Sequence, residues 1–545
     1  MKKNVIFIGL MFFLLLNQGL VKGTTIQPIE RSVGKLKISI DPRMELLAVV
    51  QSLTNTQDLV GKDLPYTKEI MSYFESFSSQ EAVQLTENLQ QKYRFGADAP
   101  VVFMLHLSQP AELETQIAFS NYLLQRSGEG DNLEQYRKSI KQFAETSNFE
   151  AFWDSKIPFY NQILDMTIAN MSELDLVKAM EDYFNETQDS YNFIITPAFR
   201  SGTGKGPKIT DATGEENTYA CIATTAIKEG IPYLTEDMII FFLWHEFGHS
   251  FVNPLADKHV DQVMTLNNLF DPVKNQMSSR SYGNWIACVN EHILRATHIR
   301  LVDLNLSTQQ SKEMIDSELR NSFIYIEPLV EKLKDFEKQR AENNITFSEF
   351  YPELLNVLDS LQKIEYWEKF NLNFQGPIGM ALSAPKRSII YPTQGSDTEA
   401  LKIAQDYVMQ FYNTLPPDVF ILLADTTALK TDLSEYGIWS FGTIESNLYL
   451  KQYASSFPFR IENQTIYADK EYTDMDIKFM SCMPNPHNPK LGMLICTALS
   501  NKAFQGIMNL TILSVSGGND YILFLDDETI ISSGVYNNKD DKWTF

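Results

Sequence analysis

Long apolar runs, cysteines and positive charge are all scarce in this 545-residue chain, and each scarcity removes a class of protein. Beyond the first two dozen residues no stretch stays apolar for the roughly 18–20 residues that a spanning helix needs, so no stable membrane span is expected in the mature chain. Only 46 Lys and Arg stand against 69 Asp and Glu, a formal net charge of -23. Such a chain has little basic surface to meet phosphates, and nucleic acid is not an expected partner. The four cysteines, Cys221, Cys288, Cys482 and Cys496, are too few for a disulfide-built scaffold of this size. Cys482 and Cys496 flank a turn between two apolar runs and are the pair expected if a disulfide forms at all. Free buried thiols are the equal alternative.

What is present is a globular composition, 44% hydrophobic and 12% aromatic, which excludes wholesale disorder. At this length two or three domains are expected. The opening residues place Lys2 and Lys3 ahead of an apolar run from Val5 to Leu16, with small residues at Gly19 and Gly23. This is the layout of a secretory leader over residues 1–23, and it predicts a secreted or periplasmic protein. No cysteine lies near the cleavage region, which argues against a lipoprotein anchor.

The segment KLKISIDPRMELLAVVQSL reads as a strand running into a helix, and residues 65–186 carry mostly helical spacing. Two β-like runs, SYNFIITPAF and TYACIATTAI, bracket the Gly-, Lys- and Thr-rich stretch RSGTGKGPKITDATGEEN. That stretch lacks the spacing of a phosphate loop and leads into no helix, so a mobile loop beside the site is the expectation. Pro385, Pro392 and the polar PTQGSDT segment mark a boundary, giving domains of about 24–380 and 390–545. Beyond it, strands alternating with helices point to a smaller α/β unit.

The chemistry centres on FFLWHEFGHSFVNP. On a helix, His245 and His249 lie one turn apart on one face and can share an ion. Glu246, rotated about 100° from His245, falls beside that ion, where it can take a proton from water. The HExxH pattern is the zinc-site spacing. With seven histidines in the chain, a chance HExxH is expected in fewer than about 1 in 100 such sequences. A purely structural helix is the competing reading.

A third ligand is needed, and Leu255 occupies the position where a third histidine of the metzincin pattern would stand. Glu291, in NWIACVNEHILRA, is the candidate, on a helix that also carries Cys288 and Arg295. The alternative is that Glu291 merely pairs with Arg295 at i+4. For the oxyanion helper, Tyr282 is the first candidate, with His259 and His292 as competitors. TYACIATT is the candidate edge strand for substrate backbone. His298 and His487 read as surface or capping residues.

HEFGHSFVNP followed by the glutamate of NEHILRA resembles a poorly characterised family of exported bacterial HExxH proteins with gluzincin-like metallopeptidase character, over roughly residues 35–370. The resemblance implies an α+β zincin-like domain, mostly helical with a small sheet. It implies Zn²⁺ on His245, His249 and Glu291, Glu246 as general base, and a peptide or protein substrate. Arg295 would then orient Glu291. Residues 390–545, through FGTIESN, MPNPHNPKLGMLI and CTALS, resemble a small Rossmann-like module appended to secreted hydrolases. Gly442 and Thr443 sit where such a module could bind an anion. The reading that follows is an exported zinc metalloprotease. Its rivals are a non-catalytic surface binding protein with a structural zinc site and a zinc amidase acting on cell-wall material.

Overall fold

A computed structural model describes residues 26–545, apart from 57, 417–418, 510–511, 514–517 and 538–541. The expected leader, residues 1–23, lies outside the described residues. Among those described, no helix is long and apolar enough to cross a membrane. The protein is mixed α/β, about half of it helical, with several separate sheets.

The first sheet is assembled from distant parts of the chain. β1 (Ile29–Val33) and β2 (Leu36–Ile40) form an antiparallel hairpin, and β2 runs parallel to β3 (Ser190–Thr196). β3 is in turn parallel to β6 (Glu216–Ala223), with Phe193 opposite Ala220. The rim beyond β6 is made by two short antiparallel pieces, β4 (Gly204–Lys205) and β5 (Lys208–Thr210). The glycine-rich stretch expected as a mobile loop is thus the edge of this sheet. TYACIATT, expected at the edge, is the interior strand β6, with neighbours on both sides.

Helices cover this sheet because the strands between Leu36 and Thr196 are buried on both faces, as a parallel arrangement requires. Asp41 begins the helix Pro42–Ser52 by accepting the Arg43 amide at 2.8 Å. Seven helices fill residues 65–184. A hairpin of β7 (Ala226–Lys228) and β8 (Ile231–Tyr233) then leads into the helix Glu236–Lys258, whose first turn carries Glu236 and Asp237. Those charges suit the positive end of a helix. Its Trp244 is buried and donates to the Leu176 carbonyl at 3.1 Å, while Phe247 meets Tyr191 of β3 edge-on.

A second hydrophobic core spans residues 374–543, separate from the first, which ends near Tyr366. β9 (Arg387–Tyr391), β10 (Phe420–Ala424) and β11 (Gly437–Phe441) are parallel, in the order β10-β9-β11. A small three-stranded sheet follows from β12 (Arg460–Glu462), β13 (Thr465–Tyr467) and β14 (Glu471–Tyr472). β15 (Lys478–Asn485) and β16 (Asn488–Ala498) extend the main sheet beyond β11, and β17 (Tyr521–Phe524) and β18 (Ile530–Gly534) complete it. All four cysteines are free and buried. Cys482 faces Leu494 and Cys496 faces Met480, so the two thiols expected to pair are diagonal neighbours on the ladder. Diagonal positions stand about 7–8 Å apart, too far for a disulfide. Nor is the Gly442–Thr443 turn open to an anion: the Thr443 amide donates to Ser446 Oγ at 2.9 Å and the Leu448 amide to Asp425 at 2.7 Å.

Candidate metal centre

Helix Glu236–Lys258 presents His245 and His249 on one face, their rings 5.0 Å apart and nearly perpendicular. Helix Trp285–Asn305, started by Asn284 accepting the Ala287 amide, packs against it. This brings Glu291 Oε1 to 3.5 Å from His245 Nε2 and Oε2 to 4.0 Å from His249 Nε2. All three donor atoms fall within 4.8 Å of one another. Neighbouring ligands around a tetrahedral ion with bonds near 2.0–2.1 Å stand about 3.4 Å apart, so the group is close to metal-binding separation as it folds. These residues can hold a metal ion.

Gly248 explains how the helices come so near. A Cβ there would stand 2.4 Å from Leu294 Cδ1 of the partner helix. A glycine inside an apolar helix signals such a close approach, and nothing else in the sequence pointed to it.

The charges around the group support the same chemistry. Burial pushes His245 down to about 3 against the pull of Glu291, which leaves a neutral imidazole with a lone pair to donate. Burial raises the Glu291 carboxyl, but His245, Arg295 and His249 lower it by more, to about 2. With His245 neutral, the permanent positive charge among these is Arg295. Its Nε donates to Glu291 Oε1 at 2.8 Å and its Nη1 to Glu318 at 2.7 Å, while the guanidinium lies over the Phe323 ring. Glu291 therefore both pairs with Arg295 and faces the histidines. The pairing holds the Glu291 carboxylate in place and still leaves it facing both histidines. Asn253 lies 3.2 Å from His249 Nδ1 and fixes that ring, whereas Nδ1 of His245 is buried without a partner among the described residues.

Glu246 is buried beside the histidines and its carboxyl is raised by burial to about 6, against the opposing pull of His249 and Lys205. The sheet edge lies directly over it. A Cβ at Gly204 would be 2.3 Å from Glu246 Oε1, and one at Gly206 would be 2.4 Å from the Glu246 backbone oxygen. Only glycine lets the strand come so close. The sequence singled out this stretch for its glycines but assigned them to mobility.

A cleft of about 950 Å³ opens over the group, lined by His245, Glu246, His249 and Glu291, by the β4–β5 edge, by His106 and by Arg280–Tyr282. Of the three oxyanion candidates only Tyr282 lines it. Burial and the Glu291 charge hold its phenol well above the ordinary range, so it stays a proton donor. His259 instead stacks on Tyr351, and His292 is wedged between Phe323 and Tyr325 with its Nδ1 on the Cys288 carbonyl. His298 is no surface residue. It is buried behind His245 and Phe241, because its helix is buried on nearly every side. His487 is partly buried against Tyr449.

Residues 36–357 match a protein family described as a domain of unknown function, DUF4932. The chain belongs to that family. The DUF4932 region contains every residue of the candidate centre, from Gly204 to Glu318, and ends before the second core begins. Its description names no activity, so the chemistry rests on the site alone. No curated protein and no solved structure matches the chain.

Proposed function

We propose that the protein is an exported zinc-dependent metallopeptidase with a zincin-like catalytic domain and a Rossmann-like accessory domain. The observation that carries this reading is the juxtaposition of a three-ligand group, an adjacent buried carboxyl and an open cleft. A purely structural zinc site would close with four protein ligands, whereas here the donors face a cavity. Two imidazoles and one carboxylate suit Zn²⁺, which when bound supplies Lewis acidity toward a water molecule and a carbonyl.

The chain's own groups do the rest. Glu246, on the histidine helix and facing the cleft, accepts a proton from the attacking water and returns it to the leaving nitrogen. A carboxyl held near 6 is suited to both halves of that transfer. The Tyr282 phenol donates to the oxygen that gains charge. Arg295 keeps Glu291 oriented and ionised. The outer rim of β4 and β5 bears no further strand among the described residues, so an extended peptide can add to it through main-chain hydrogen bonds. This favours peptides over a cell-wall amide lacking an extended backbone.

Glu246→Gln is the decisive variant. It should retain one equivalent of zinc and lose hydrolysis of a peptide library. Hydrolysis at wild-type rates with metal still bound refutes the mechanism. A zinc-loaded wild-type protein that cleaves nothing, yet melts lower on chelation, supports the binding-protein reading instead.

A further inference from the structure

Four of the buried or half-buried arginines meet carboxylates. Arg43 is held by Asp41, Arg137 by Glu134, Arg295 by Glu291 and Glu318, and Arg300 by Glu337 and Asp303. Arg387 has no carboxylate, but its guanidinium rests on the faces of Phe420 and Trp439 and donates to the Ala384 carbonyl. Arg280 has neither. Among the described residues its side chain makes one hydrogen bond, from Nη2 to the neutral amide oxygen of Asn321 at 2.6 Å, and no ion pair. Its Nε is buried and without a partner.

Arg280 is one of the residues lining the metal cleft, two residues from Tyr282. The intervening Ser281 adopts φ 75°, a left-handed conformation that a serine rarely takes, where the chain closes the preceding helix and turns back toward the cleft. A largely buried cation without an ion pair is costly unless something supplies a contact to it. The one carboxylate whose charge bears on it, Glu318, makes no ion pair with it: Glu318 Oε1 accepts from Arg295, and Oε2 is buried without a hydrogen-bond partner among the described residues. Burial, reinforced by Arg295 and opposed by Glu318 and Tyr282, lowers the affinity of Arg280 for its proton.

We propose that Arg280 is the receptor for a substrate carboxylate in the wall of the metal cleft, so that the site takes peptides carrying a carboxylate close to the bond that is cut. The proposal rests on the peptidase reading for what is cut, but not for what is bound. A guanidinium fork meets a carboxylate through charge-assisted hydrogen bonds, two of them parallel where both donors reach it. Two sources share this chemistry: the free C-terminus of the peptide and an Asp or Glu side chain. The first makes the enzyme a carboxypeptidase or a cutter of short C-terminal fragments, and the second makes it selective for acidic residues.

The test uses N-acetylated alanine hexapeptides in matched pairs. One pair differs in a C-terminal acid against a C-terminal amide. The others place Glu against Gln at each position in turn, all with amidated C-termini. Dissociation constants are measured by calorimetry on the full chain with zinc bound, in a Glu246→Gln background that prevents turnover, with and without Arg280→Gln. Metal content and melting temperature are recorded for each variant to establish that it folds. Hydrolysis of the same pairs is measured with Glu246 intact.

A charge-assisted bidentate contact corresponds to roughly a 10–100-fold preference for the carboxylate member of a pair, and Arg280→Gln should collapse that ratio to near one. Arg280→Lys should restore part of it. A preference confined to the terminal acid assigns the C-terminus as ligand, and one confined to a Glu pair assigns the side chain. The proposal is overturned if the wild-type residue gives no preference in any pair, if no carboxylate peptide binds, or if the preference survives Arg280→Gln in a folded protein. If the preference is present and depends on Arg280 while no peptide is hydrolysed, the anion site stands and the peptidase reading falls.

Discussion

The Gly206→Ala substitution tests how the sheet edge and the histidine helix are fitted together. A methyl group at Gly206 would lie 2.4 Å from the Glu246 backbone oxygen, 2.9 Å from its carbonyl carbon and 2.8 Å from Oε2, where ordinary contact begins near 3.4 Å. The first two atoms are helix backbone, so no side-chain rotation relieves the clash. The helix is clamped by Trp244 and by the Gly248–Leu294 contact, which leaves the two-residue strand β4 as the part that yields, by about 1 Å. Overpacking of this kind costs about 1–3 kcal/mol. A shift of about 1 Å in the surface that aligns the substrate costs about 100-fold in rate. The three candidate ligands sit on the two helices rather than on β4, so zinc affinity should change little. The assays are melting temperature, zinc stoichiometry and kcat/KM on the best library peptide. Wild-type turnover in Gly206→Ala refutes the close approach, and a parallel loss of zinc affinity shows that the helix yields instead.

Arg295→Met should weaken zinc binding by about 10–100-fold, because Glu291 loses the partner that orients it; competition with a chromogenic chelator measures this. Chelating the metal should lower the melting temperature, the bound ion contributing about 4 kcal/mol at a free concentration 1,000 times Kd; an unchanged transition means the three side chains hold no ion. Glu45 is buried with its carboxylate on the hydroxyls of Tyr66 and Tyr160, and burial pushes it up to about 7. Since the folded protein holds this proton more tightly than the unfolded chain, the stabilisation is complete below about pH 4.5 and is lost as pH rises through 7, amounting to ~3 kcal/mol. Denaturant unfolding at pH 5 and pH 8 should therefore show the wild type losing about 2–3 kcal/mol relative to Glu45→Gln, a difference from which the groups common to both proteins cancel.

The helical part of the site was legible in the sequence because its geometry is local. The i, i+4 relation puts His245 and His249 on one face of any helix, whatever surrounds it. The same relation ties Arg295 to Glu291. The expectation that Glu291 reaches the histidines needed one tertiary assumption, that two successive apolar helices pack together. Gly248 opposite Leu294 is the contact that makes this packing close enough.

The sheet was harder to read. TYACIATT and the glycine stretch carry the signals of a strand and of a loop, yet whether a strand is interior or edge depends on which distant segment pairs with it. Here residues 36–40 and 190–196 fill one side of the sheet, and Gly204 to Thr210 folds back onto the other side of β6. His298 was misplaced for the same reason, since a helix buried on almost every side gives no polar face to read.

By itself, then, the order of residues determined the helices, the ligand types and their facing directions, since hydrogen bonding and side-chain projection repeat within a single turn. Only the tertiary structure decided the edge strand over Glu246, the separation of the thiols and the absence of an ion pair to Arg280 among the described residues. Those are relations between groups far apart in sequence, set by how sheets and helices pack in space.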